Sequence, residues 1–193
     1  MALTSILFVP QYWTPPSLFN LDQKIRVGIE DFLWAAAVGG IASVVGELLL
    51  RDTLATLRSR PRHRHYAPFA IIAVLFIALE IWHPYQSYAN TMLNTIISFT
   101  IGAIAIAVLR SDLITLMLIS AASFTALYFF LFLCVLFLYP DFIHRFYNIP
   151  NLLGIYIAGV PIEELLFAAS GGAIWSVAYE YVQGYRLSPE SRP

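Results

Sequence analysis

Apolar residues gather along this chain into five runs separated by short polar stretches: Ile29 to Leu50, Ala67 to Trp82, Ala89 to Leu109, Leu113 to Tyr139 and Ile162 to Val182. All exceed the roughly 10 residues of a tilted barrel strand and none alternates, so each reads as a helix. At about 20 apolar residues per span, the pattern gives an all-α polytopic membrane protein with about five complete transmembrane helices. The second run is short, and the fourth is long enough to tilt or to finish as an interfacial turn.

Composition agrees with the pattern. Of 193 residues 59% are hydrophobic and only 12% charged, with a mean hydropathy of +0.72. A soluble domain carries roughly a quarter of its residues as charges, so little chain is left for an extramembrane domain and function is to be sought inside the bilayer. A net charge of -1 offers no general attraction to nucleic acid. The single cysteine, Cys134, sits in FLFLCVLFL and is expected to be a buried, inert thiol. The opening MALTSILFVPQYWTPP has no basic n-region and no small-residue cleavage site, and its apolar stretch stops at Pro10. It is neither a signal peptide nor a full span.

The basic residues set the expected sidedness. Between the first two runs lies RDTLATLRSRPRHRHY with Arg51, Arg58, Arg60, Arg62 and Arg64, which the positive-inside rule assigns to the cytoplasm. Alternation then puts Arg110, Arg186 and Arg192 on the same side and Lys24, Arg26 and Arg145 outside. His63 and His65 belong to this solvated loop, with no carboxylate or thiolate pattern to suggest a metal site.

Ile29 to Glu47 (IEDFLWAAAVGGIASVVGE) can be laid over Ile162 to Glu180 (IEELLFAASGGAIWSVAYE) at a constant offset of 133 residues without a gap. The match includes Glu30/Glu163, Gly39/Gly172, Ser43/Ser176 and Glu47/Glu180, with Asp31/Glu164 and Trp34/Phe167 conservative. Acids and a glycine in register point to an internal repeat. Three helices separate the copies, so the duplication is expected to be parallel, with both acid pairs at one depth near the outer face. The second copy is preceded by full-length apolar helices and the first only by Met1 to Val9. The expectation is therefore a plan of seven spans whose opening one and a half are absent, by truncation or by a split between two chains.

Ionisable groups within a membrane cost about 2.5 to 3.5 kcal/mol or more at mid-depth, so each needs a reason. Glu30, Asp31, Glu163 and Glu164 fall in the first turns of their helices, where capping alone would explain any one of them. As matched pairs they suggest a shared site. Glu80 and His83 near the end of the second run, with Asn90 and Asn94 at the start of the third, are expected at the same level. Glu47 and Glu180 lie 17 residues further along their helices, about 25 Å away, and belong to the cytoplasmic interface. Phe32, Trp34, Phe167, Trp175 and Tyr179 flank the acids, and their ring faces could stabilise a carbocation. Small residues such as Ala36, Gly39, Gly40, Gly171 and Gly172 let helices approach closely.

No dinucleotide fingerprint, phosphate loop, nucleophile elbow or Asp-rich metal motif occurs. What remains is acid–base work by carboxylates in an apolar pocket, with no cofactor and no metal. GIEDFLWA from Gly28, VPIEELLFA from Val160, YWTPP from Tyr12 and the closing YEYVQGY from Tyr179 resemble the membrane-integral lycopene cyclase domain family of bacteria, archaea and fungi, in its small prokaryotic branch. The resemblance implies a single membrane domain over 1–193, with a first-repeat remnant at 1–50, a connecting helix at 51–87, a second repeat at 88–186 and a tail at 187–193. It implies redox-neutral cyclisation of a linear carotenoid or other isoprenoid in a prokaryotic cytoplasmic membrane. An acid protonates the terminal double bond, a neighbouring double bond attacks the cation, and a base removes a proton. Those roles fall to the carboxylates of the two motifs, with Glu163 and Glu30 the leading pair. The partners implied are the polyene substrate, the bilayer and a second membrane subunit or a further copy of the chain. A non-catalytic subunit of a heteromeric complex is the alternative reading, and a small transporter the weaker one.

Overall fold

The computed structural model describes residues 5–50, 55–58, 66–83, 90–183 and 186–188. Arg51, Arg60, Arg62, His63, Arg64, His65, Arg192 and the side chain of Glu47 lie outside the described set. The helices are α1 (Ser5–Phe8), α2 (Leu21–Ile25), α3 (Ile29–Leu50), α4 (Ala67–Trp82), α5 (Thr91–Leu109), α6 (Ile114–Leu138), α7 (Phe142–Phe146), α8 (Ile162–Trp175) and α9 (Ala178–Gln183). Among the described residues four short strands, β1 (Ala55–Arg58), β2 (Tyr156–Ile157), β3 (Val160–Pro161) and β4 (Arg186–Ser188), form two antiparallel pairs, β1 with β4 and β2 with β3. The first pair ties the basic loop to the C-terminal segment at one end of the bundle.

Among the described residues three helical stretches, Ile29–Gly46, Thr91–Leu109 and Ser111–Leu138, are long and apolar enough to cross a membrane. That is fewer than the five complete spans expected from the hydrophobic pattern. α4 ends after 16 residues, and the fifth apolar run is not one helix. α8 stops at Trp175 after 14 residues and α9 takes up the rest. The break is local. Ser176 Oγ donates to the Ala173 carbonyl and the Val177 N–H bonds three residues back to Ile174, which tightens the last turn and turns the axis. Cys134 also departs from expectation: it faces outward from α6 and is exposed, because the inner stripe of that helix is taken by Tyr128, Phe132 and Leu136.

α8 is the hub. It packs on α6, on α5 and, less extensively, on α3, while α3 packs on α6 and α4 on α5. The small residues of α8 permit this. A Cβ added at Gly172 would lie 3.1 Å from both the Phe124 Cβ and the Ser120 carbonyl oxygen, inside ordinary van der Waals contact. A Cβ added at Gly39, in register with it on α3, would meet nothing within 4 Å among the described residues. Val38, Ala42, Phe124 and Ala168 form the seam joining α3, α6 and α8.

The chain enters α8 through a tight hairpin. Ala158 (φ 50°) and Gly159 (φ 85°) both take the left-handed backbone that a two-residue turn between β2 and β3 requires. The turn delivers buried Val160 and Pro161 directly to the helix start, which fixes where the first-turn acids point.

Candidate functional site

The two acid pairs do not share one role. At the start of both α3 and α8 the first acid looks back along the chain and holds the preceding loop. Glu30 accepts a hydrogen bond from the Leu18 N–H at 2.6 Å, and Glu163 accepts one from the Leu153 N–H, also at 2.6 Å. Glu163 is fully buried, and its second oxygen, like that of Glu30, has no hydrogen-bond partner among the described residues. In both helices the second acid lines a cavity instead. Asp31 and Glu164 both form part of the wall of an apolar chamber of about 710 Å³ bounded by α3, α4, α5, α6 and α8.

One difference between the two helix starts separates Asp31 from Glu164. Asp31 Oδ2 accepts from the Gly28 N–H at 2.7 Å, an ordinary cap on the start of α3. The residue in register with Gly28 is Pro161, which has no N–H to donate. Glu164 is thereby released from capping and is held by three phenols. Tyr12 and Tyr147 donate to its Oε1 at 2.9 and 2.8 Å, and Tyr128 donates to Oε2 at 2.6 Å. Glu164 is only 3% exposed.

Two of these phenols come from a lid over this end of the bundle. The N-terminal segment pairs with the segment after α7 through a Trp13–Tyr147 bridge, with the Thr14 N–H on the Phe146 carbonyl at 2.7 Å and the Asn148 N–H on the Tyr12 carbonyl at 2.9 Å. Asn148 and Asn151 side chains both donate to the Gln11 carbonyl. Burial, and next the Glu164 carboxylate, push the Tyr12 and Tyr147 hydroxyls above the usual phenol range, so both remain protonated donors.

One turn deeper lie the aromatics. Trp34 stacks on Phe167 with centroids 5.8 Å apart and planes 20° from parallel, and Phe167 stacks on Phe99 at 6.2 Å and 27°. All three line the chamber, as do Phe124 and Trp175. The chamber runs along α8 from Glu164 to Trp175, eleven residues or about 16 Å.

Glu80, Asn90 and Asn94 come together in a separate polar cluster. Asn94 Nδ2 donates to Glu80 Oε1 at 2.7 Å and lies 3.5 Å from His83 Nδ1, while Thr91 Oγ1 lies 3.3 Å from Glu80 Oε2. Asn90 caps α5 by accepting from the Leu93 N–H and donates to the Asn151 carbonyl. This cluster clamps α4, α5 and the lid, and none of Glu80, His83, Asn90 and Asn94 is in the chamber wall. Phe32 and Tyr179 are exposed and outside the wall as well. Among the described residues no group of three or more metal-ligating side chains occurs.

The hydrogen-bonding tyrosines were not identified from sequence as functional. The signal lay in Tyr128, a phenol inside LYFFLF that needs a polar partner once buried.

Comparison with known proteins adds one finding. Neither the curated proteins nor the solved structures yield a match to this chain, whereas the family model described as lycopene cyclase matches residues 90–182. The match takes in α5, α6, α8 and most of α9, and with them Phe99, Tyr128, Tyr147, Glu164 and Phe167. The segment that contributes the carboxylate, two of its three phenols and the central ring of the stack, residues 90–182, matches the lycopene cyclase family.

Proposed function

We propose that the chain is an acid-initiated cyclase of a linear carotenoid or related isoprenoid, working within the membrane without a cofactor. The observation that carries this reading is the coincidence, in one apolar chamber, of two carboxyl groups and a three-ring stack one helical turn below them. An ionised carboxylate is an acceptor only, and three O–H donors converge on Glu164. Glu164 is therefore the base and Asp31, the other carboxyl group of the wall, is the proton donor. Asp31 transfers its proton to the terminal double bond of the substrate and becomes a carboxylate. The tertiary cation so formed is attacked by the internal double bond, closing the ring. Glu164 then takes a ring proton, the new double bond forms, and the product is an isomer of the substrate. The faces of Trp34, Phe167 and Phe99 stabilise the intermediate positive charge, and the dry walls exclude water that would otherwise trap it.

The same proposal takes the two acidic helices as copies of a parallel repeat, a reading supported by each helix supplying one acid and one ring to the same chamber. In this reading the basic loop faces the cytoplasm, and the bilayer supplies the substrate. Expression in lycopene-accumulating cells, alone and beside a second membrane subunit, tests the proposal by chromatography of the pigments. Cyclic product supports it. No cyclic product under either condition leaves the non-catalytic subunit as the better reading.

A further inference from the structure

The chamber is bounded on one side by α3 and on the other by α4, yet among the described residues no extended contact joins these two helices. α3 leans on α6 and α8, and α4 is carried by α5. Each turns a stripe toward the chamber: Trp34, Ala37 and Ile41 on α3, and Phe69, Ile72 and Ala73 on α4. The smallest residue of each stripe, Ala37 and Ala73, is exposed, as are Trp34 and Ile41. The two alanines also lie at matching depth. Ala37 is eight residues from the start of α3 and Ala73 nine from the end of α4, about 12 and 14 Å from the end of the bundle that holds Asp31 and Glu80.

We infer that the gap between α3 and α4, framed by Ala37 and Ala73, is a lateral portal through which a linear polyisoprenoid threads from the bilayer. Its end group rests between Asp31 and Glu164 while the rest of the chain stays in lipid. The inference rests on the cyclase reading for the identity of the occupant. The argument for that occupant is the chamber itself. It is lined mostly by apolar side chains, about 16 Å long, closed by the lid beyond the carboxylates, and flanked at mid-depth by exposed Ala37 and Ala73, which in a membrane would face hydrocarbon. A water-soluble ligand would have to enter through the lid, which the Trp13–Tyr147 pairing and the Gln11 contacts hold shut.

The test uses the full chain purified from lycopene-loaded membranes, with total carotenoid retained per chain as the readout, so that conversion does not matter. Ala73→Trp and, from the opposite wall, Ala37→Trp are expected to lower retained pigment about tenfold through overpacking of the opening. Val74→Trp serves as control, since Val74 is 67% exposed and outside the chamber wall; it should retain pigment like the unaltered chain. The thermal midpoint is followed alongside, and Ala73→Leu replaces any tryptophan variant that unfolds. Pigment retained equally by both portal variants, lost equally in Val74→Trp, or absent from the unaltered chain overturns the portal. An unaltered chain that retains pigment sensitive to Ala73→Trp but forms no cyclic product overturns the cyclase reading and leaves the portal standing.

Discussion

Trp34 and Phe167, which occupy the same position in the two acidic helix motifs, stack on one another with ring centroids 5.8 Å apart. Residues 133 apart in sequence thus meet face to face, with Asp31 and Glu164 one turn before them in the same chamber wall. A cation formed beside either acid would find a ring within a helical turn. Replacing Trp34 by Leu removes the outer ring while costing little packing, since Trp34 is 38% exposed. A cation–π contact is worth about 0.5 to 2 kcal/mol, so cyclic product formation is expected to fall by about 2- to 30-fold with an unchanged thermal midpoint. An unchanged rate would remove the stack from the mechanism.

The tyrosine clamp makes a separate prediction. Tyr12→Phe, Tyr128→Phe and Tyr147→Phe each delete one of three hydrogen bonds to Glu164 at nearly constant volume. A hydrogen bond to a charged group contributes about 1.5 to 3 kcal/mol, so each variant should cyclise at least about tenfold more slowly. Because the three share one acceptor, the double variants should fall short of the product of the singles. The double-mutant cycle measured on product formation checks this.

The first acids of each pair should behave differently from the second. Glu163 and Glu30 hold the Leu153 and Leu18 amides, and a glutamine keeps the carbonyl acceptor needed for that. Glu163→Gln and Glu30→Gln are therefore expected to retain most cyclisation. Glu163→Leu, which leaves the amide unpaired, should lower stability by about 1 to 3 kcal/mol. Thermal unfolding in detergent beside a pigment assay separates the two effects.

Packing around the hub gives a contrast between matched glycines. Gly172→Val drives a side chain into the Ser120 backbone and Phe124, where a Cβ already approaches to 3.1 Å, whereas Gly39→Val meets open space. The first is expected to cost about 1 to 3 kcal/mol by overpacking and the second to be close to neutral, as read by the thermal midpoints. Equal midpoints would show that α8 is not the tightly packed centre.

Much of this was legible in the residues. The bounds of α3 and α4 follow the apolar runs, and the matched acids mark the helix starts, because hydrophobic continuity and first-turn charge are local signals. The kink that splits α8 from α9 was not legible, since it depends on a serine bonding back to its own turn within an apolar run. Nor did sequence separate the acids of each pair. Glu163 and Glu164 are chemically alike and adjacent, and what distinguishes them is direction: one faces the Leu153 amide and the other a cage of phenols drawn from three distant segments. Pro161 in place of Gly28 carried that information, but only the structure gives the missing N–H its meaning.

The central claim is that Glu164 removes the proton that completes the ring. Its most direct measurement is the ratio of cyclic to linear carotenoid in lycopene-accumulating cells expressing the unaltered chain or Glu164→Gln at matched membrane levels. The account predicts cyclic product from the unaltered chain and a fall of about 100-fold or more on loss of the base. Equal ratios for the two would contradict it.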